Sequence, residues 1–209
     1  VSGDDVAAKI PIAILISGRG TNMKALINAT LDGWLRADVR VVLSNKPDAA
    51  GLEFARSLGI PTVVLSHRDF PAREDYDRAL VAELRGRGVE YVALAGFMRI
   101  LTSEFLGPFR GRVVNIHPAI LPSFPGIHSQ KQALDYGVRI TGCTVHFVDE
   151  GTDTGAIIAQ RAVPVLDDDD EDTLSARILA QENTLYPEAL EEVLSGRVRI
   201  EGRRTVRVH

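Results

Sequence analysis

The chain predicts an α/β fold in which a central, mostly parallel sheet carries helices on both faces. Two patterns point to it. From residue 12 to residue 116, short apolar runs alternate with helical stretches, as consecutive right-handed strand–helix–strand units do. After Gly126 the segments lengthen and polar residues alternate within them, which adds antiparallel or mixed strands. A length of 209 residues with 45% hydrophobic and 25% charged content suits one α/β domain with a full core.

The elements follow in order. Ile12 to Ile16 is a continuous apolar run, as in a strand buried on both faces. Ser17-Gly18-Arg19-Gly20-Thr21-Asn22 then leads into a helical pattern from Met23 to Ala29. Val39 to Leu43 is the second strand, closed by Ser44-Asn45-Lys46-Pro47, and Asp48 to Leu58 is a helix stopped by Gly59. Thr62 to Leu65, Tyr91 to Ala95 and Arg112 to Ile116 are further strands, with a helix over Arg73 to Arg85. Ser129 to Tyr136 is a helix, and Ile140 to Val148 and Ala156 to Val165 are the longer strands. In the first of these, Thr144, His146 and Val148 share one face and Cys143, Val145 and Phe147 the other. Thr173 to Leu194 is one long helix or one bent near Pro187. Residues 1–9 read as a flexible lead-in and 197–209 as a terminal hairpin whose wet face carries five arginines.

Composition excludes some functions. The single cysteine, Cys143, permits neither an intramolecular disulfide nor a multi-cysteine zinc site, and it fits a reducing compartment. No apolar run reaches the length of a membrane span, and the start lacks a signal-peptide apolar region. The net charge of −4 gives no general reason to bind nucleic acid.

Three segments are candidates for chemistry. In Val113-Val114-Asn115-Ile116-His117-Pro118, Asn115 and His117 lie two apart and point to one side of a strand that Pro118 ends. A hydrogen-bond donor and a titratable base therefore sit where open α/β sheets bind ligands. A Pro-rich loop follows, stiff enough to wall a site. Ser17 to Asn22 could cradle an anion with backbone N–H groups at a helix N-terminus, or be a plain turn capped by Thr21 or Asn22. It matches neither a nucleoside-triphosphate loop nor a full dinucleotide fingerprint. Asp149 to Gly155 holds three carboxylates and two glycines in seven residues. It is either a tight turn of solvated acids or the source of a carboxylate that reaches His117. The six acids from Asp167 to Asp172 read as a solvated loop capping the next helix at Thr173, and Ala95 to Leu101 as core or as the wall of an apolar pocket.

Together these segments resemble the phosphoribosylglycinamide formyltransferases of purine synthesis. The matching pieces are Ile16 to Asn22, Leu43-Ser44-Asn45-Lys46, Ala95 to Leu101, Asn115-Ile116-His117-Pro118, Gly142 to Val148, Asp153 and Gln181-Glu182, in the expected order from about residue 10 to residue 195. The resemblance implies a single-domain, Rossmann-like formyltransferase fold over residues 1–209. It implies direct transfer of a formyl group from 10-formyltetrahydrofolate, as co-substrate, to the amine of 5′-phosphoribosylglycinamide. This is a step of de novo purine (IMP) biosynthesis, and it passes through a tetrahedral intermediate without a metal. Asn115, His117 and Asp153 would be catalytic: two donors for the oxyanion, each worth about 3 kcal/mol, and a carboxylate that holds the imidazole and moves a proton. Gly20, Thr21 and Asn22 would grip the substrate phosphate and Glu182 the ribose. Arg73, Met98, Arg99, Ile100, Leu101 and Asn115 would contact the folate, with Asp149, Glu150, Gly151, Thr152 and Asp153 looping around its pteridine. His146 would support the reacting centre. The same resemblance implies a cytoplasmic enzyme working on small molecules, without nucleic acid or membrane, and a homodimer as its assembly. The chain departs from the family pattern at Ser123 and at Thr154-Gly155-Ala156.

Two other readings compete. A formyltetrahydrofolate deformylase or the formyltransferase of methionyl-tRNA would use the same core residues. The first normally carries an N-terminal regulatory domain and the second a C-terminal domain, and neither is expected here. A nonenzymatic folate- or nucleotide-binding protein would not need Asn115, His117 and Asp153 together.

Overall fold

The computed structural model of the protein describes residues 8–208, so most of the expected lead-in lies outside the described residues. Among the described residues, nine strands and six helices follow one another. β1 (Ile10–Ile16), α1 (Thr21–Leu31), β2 (Ala37–Ser44), α2 (Gly51–Ser57), β3 (Thr62–Val64), α3 (Arg73–Gly86), β4 (Tyr91–Leu94), α4 (Ser103–Leu106) and β5 (Val113–His117) form the first half. α5 (Ser129–Tyr136), β6 (Ile140–Phe147), β7 (Ile157–Pro164), α6 (Glu171–Leu194), β8 (Val198–Glu201) and β9 (Arg204–Arg207) complete the chain.

Seven strands form one sheet in the order β3-β2-β1-β4-β5-β6-β7. The first five are parallel, and β6 and β7 add antiparallel to β5, as the change of rhythm after Gly126 predicts. Both faces are covered. Ile12, Ile14 and Ile16 pack with α1, α2 and α6, while Ala13 and Leu15 face the other layer, with Tyr76, Leu80 and Leu84 of α3 and Phe105 of α4. That two-sided burial explains why β1 reads as an unbroken apolar run.

Some expectations shift. The two faces of β6 are equally covered, since all of Thr141 to Phe147 is buried. α1 starts at Thr21, with Gly20 rather than Thr21 or Asn22 at the N-cap position. Gly20 sits at φ 69, where a side chain would be strained. α2 begins at Gly51 rather than Asp48. α6 begins at Glu171, not Thr173: Asp170 caps it by accepting from the Thr173 N–H, and the Thr173 hydroxyl accepts from the Asp170 N–H. Asp169 forks onto the Arg177 guanidinium at 2.6 and 2.7 Å, so this acidic run anchors a helix start. α6 passes through Pro187 without a break in the helix. The short α4 and a 3-10 turn at His67–Asp69 had no periodic signal, being too short to show one. β8 and β9 pair antiparallel through the Glu201–Arg204 turn.

Two features place the site. The chain runs outward from β1 to β3 and then returns to β4 on the other side of β1. This reversal leaves a crevice at the carboxyl ends of β1 and β4. In addition, β5 and β6 pair so that Asn115 lies opposite His146 and His117 opposite Thr144. A slip of one residue would turn both pairs away from each other.

Candidate active site

The polar centre lies where β5, β6 and the loop after β6 meet. Asp153 reaches in from that loop with its backbone in the left-handed region, φ 54. Its Oδ2 lies 3.3 Å from His117 Nδ1 and accepts from the Gly126 N–H at 2.7 Å. Its Oδ1 lies 3.6 Å from His146 Nε2. The loop is held from within: Asp149 Oδ1 accepts from the Thr154 hydroxyl at 2.6 Å and the Gly151 N–H at 3.1 Å. Gly155 permits its closure, since a Cβ there would stand 1.7 Å from the Phe147 carbonyl oxygen. The sequence alternative of merely solvated acids therefore fails for Asp153, while Asp149 and Glu150 are both exposed.

The backbone fixes both imidazoles. A carbonyl only accepts, so His117 Nε2–H donates to Phe124 at 2.8 Å and His146 Nδ1–H donates to Phe147 at 2.8 Å. His146 Nε2 then faces the Asn115 amide at 3.2 Å and Asp153 Oδ1 at 3.6 Å. His117 presents Nδ1 to Asp153, so a proton added at that nitrogen completes an ion pair. Burial pushes the His117 imidazole below its ordinary value, while the Phe124 carbonyl and Asp153 pull it partly back and His146 adds to the fall. For Asp153, burial pushes the carboxyl up. The His146 contact, the Gly126 N–H and the charge on His117 outweigh that and hold it below its usual value.

A cavity of about 120 Å³ opens beside this junction. Asn115, His146 and Asp153 line it on one side, and Leu94, Phe97 and Arg99 on the other. Ile100, Leu101, Asp149, Gly151 and Thr152, expected to meet a folate, also line it. His117 does not; it stands behind Asp153. Arg73, expected there too, is exposed at the start of α3 and lies outside the lining, as does Glu150.

A second cavity of about 300 Å³ lies across Ala95 and Gly96, where α1 and α6 converge. Thr21, Asn22 and Glu182 line it, together with Met98 and Arg19. Asn22 Nδ2 donates to Glu182 Oε2 at 2.8 Å, joining residues 160 positions apart. Burial pushes the Glu182 carboxyl up, and the Asn22 amide opposes the shift. Tyr186, one turn on, is fully buried, and its hydroxyl lies 2.9 Å from the Leu94 and the Val114 carbonyls. That contact fixes α6, and so Glu182, against β4 and β5.

Ser17 was not singled out by the sequence, yet it ties three loops together. Its hydroxyl donates to Asn45 Oδ1 at 2.6 Å and accepts from the Met98 N–H at 2.8 Å, and its own N–H donates to the Gly96 carbonyl at 3.0 Å. A serine between an apolar strand and a glycine carries no signal of such reach. The carbonyl of Phe124 was equally invisible, because any residue supplies one.

Residues 10–190 match the formyl transferase family model. The chain is 54% identical over 187 residues to the trifunctional purine biosynthetic protein adenosine-3 of Drosophila melanogaster, covering 88% of this chain and 14% of that protein. It thus spans only 14% to 20% of the length of such trifunctional relatives. It is 44% identical over 189 residues to the phosphoribosylglycinamide formyltransferase of Escherichia coli K12, covering 90% of this chain and 89% of the relative. The crystal structure of glycinamide ribonucleotide transformylase 1 from Symbiobacterium toebii superposes with a TM-score of 0.95 at 45% identity, over 96% of this chain and 95% of that one. With the fold, the loop order and the full-length relatives in agreement, the chain belongs to the formyl transferase family, among its phosphoribosylglycinamide formyltransferases.

Proposed function

We propose that this chain transfers the formyl group of 10-formyltetrahydrofolate to the amine of glycinamide ribonucleotide in purine synthesis. The observation that carries the reading is the paired arrangement of two cavities. One is walled by Asn115, His146 and Asp153, the other by Asn22 and Glu182, and both meet the segment from Ala95 to Leu101. The first would hold the pteridine and formyl carbon, and the second the phosphoribosyl group whose amine attacks.

The attack yields a tetrahedral oxyanion. Asn115 would donate to it, and the proton shared between His117 and Asp153 would place a positive charge behind it. For His117 itself to donate, its Nε2–H must exchange the Phe124 carbonyl for the oxyanion, trading a neutral acceptor for a charged and stronger one. Asp153 faces both the cavity and His117. It is therefore placed to take the amine proton, directly or through water, and pass it toward the folate nitrogen. No step calls for a metal. Glu182 would orient the ribose, and such positioning contributes several kcal/mol to the rate.

We take residues 1–209 as one formyltransferase domain, cytoplasmic and homodimeric. The buried thiol of Cys143 is at home in a reducing setting. Light scattering tests the dimer.

The test of function is acceptor dependence. Purified protein with 10-formyltetrahydrofolate releases tetrahydrofolate slowly, and glycinamide ribonucleotide accelerates it strongly. Glu182→Ala weakens the acceleration and leaves folate binding nearly intact. Equal release of formate with and without the ribonucleotide would make the protein a hydrolase.

A further inference from the structure

Arg19 has no assigned task, although its neighbours Gly20, Thr21 and Asn22 do. It lies between two glycines in the loop after β1, and its backbone is fixed: the Gly18 carbonyl accepts from the Gly51 N–H at 3.1 Å. A Cβ on Gly51 would meet Ile16 Cδ1 at 2.7 Å and the Arg19 carbonyl oxygen at 3.3 Å, so α2 packs directly beneath the loop. The Arg19 side chain, by contrast, is exposed and makes no hydrogen bond or ion pair among the described residues.

Its position explains why that is useful. Among the described residues, Arg19 is the one cation lining the α1–α6 cavity, and Glu182 the one carboxylate. Lys24, one turn into α1, sits 5.1 Å above the Phe54 ring instead. A phosphate monoester brings up to two negative charges into this cavity. The start of α1 offers only about half a positive charge. Glu182 adds repulsion whenever it is ionised. The cavity is also built for a polar occupant: Asn22 is 8% exposed and its Oδ1 has no hydrogen-bond partner among the described residues.

We propose that Arg19 is a specificity-determining residue that closes over the 5′-phosphate of the ribonucleotide and supplies the cation the helix start lacks. The guanidinium fork would take two phosphate oxygens while the loop N–H groups take the third. This rests on the transferase reading above.

The experiment compares wild type with Arg19→Met and Arg19→Lys, using glycinamide ribonucleotide and its 5′-dephosphorylated riboside. Arg19→Met is expected to raise the KM for the ribonucleotide roughly tenfold to a hundredfold, the range of a lost charge-assisted contact. The KM for 10-formyltetrahydrofolate and the weak turnover of the riboside stay within about twofold, and Arg19→Lys recovers part of the loss. Because the Arg19 side chain is exposed and makes no hydrogen bond or ion pair among the described residues, Tm is expected to hold. A ribonucleotide KM unchanged in Arg19→Met overturns the proposal, as does an equal rise for ribonucleotide and riboside. A rise confined to the folate would instead assign Arg19 to a folate carboxylate and overturn it too. Wild-type protein that transfers no formyl group would refute the functional reading itself.

Discussion

The junction at Asp153 and the loop at Arg19–Asn22 both carry charged side chains, and they are finished to different degrees. At the junction both nitrogens of His117 and of His146 are engaged, and Asp153 Oδ2 faces two partners. At the loop, among the described residues, Asn22 keeps a buried oxygen without a partner and the exposed Arg19 side chain makes no hydrogen bond or ion pair. The carboxylates of the two regions also shift oppositely: Asp153 is held low, and Glu182 is pushed up by burial with a single opposing amide. Charge that develops during a reaction is best met by groups already in place, because they need no reorganisation. Charge that arrives with a substrate can be met by groups left open until it binds. The first arrangement should show in turnover, and the second in substrate affinity.

The largest effect that could break this contrast lies at the junction. His117→Ala, Asn115→Ala and Asp153→Ala should each lower kcat at least about a hundredfold while circular dichroism stays native. Near-normal kcat in any two of them would remove the junction from the chemistry. Next comes the serine that links the regions. Ser17→Ala strips a partner from both Asn45 and the Met98 N–H, and a buried group left unsatisfied costs about 1–3 kcal/mol. It should lower Tm by several degrees and raise the KM of both substrates, since it loosens loops on both sides. A KM change for only one substrate would mean that the two cavities are held independently.

The smallest effects concern pH, and here the two regions should diverge in sign. Asp153 has a lowered folded value, so its contribution to stability is present above the ordinary 3.8 and is lost as pH falls through the lower folded value. His117, also lowered, adds a loss of stability as pH drops below 6.5. Glu182 is raised. Its contribution is present below 4.5 and is lost as pH climbs through the folded value. Glu182→Gln should therefore gain on wild type in Tm as pH increases from 4.5. Asp153→Asn should lag wild type at neutral pH and close the gap only in strong acid. Parallel curves for the two variants would show that burial, rather than partners, sets both groups.

Much of this was legible in the residues. The apolar run of β1 announces a strand covered on both faces, and the alternation up to His117 announces the parallel half of the sheet. Asn115 and His117, two apart and stopped by Pro118, could be placed side by side at a strand end because strand periodicity is a local property of the backbone. Helix starts were less legible. Gly20 rather than a capping side chain opens α1, and α6, capped as expected from the acidic run, starts at Glu171 rather than Thr173, because end geometry depends on where the flanking chain turns.

By itself, then, the sequence determined which of the longer elements form, which strand end carries the donor and the base, and which family the loops resemble. These depend on periodicity, turn chemistry and residue identity, all local. Only the tertiary structure decided that Asp153 meets His117, that Asn22 meets Glu182 across 160 positions, and that Ser17 joins three loops. Those contacts depend on sheet order and on the β5–β6 register, and the free energy that selects them is summed over the whole core.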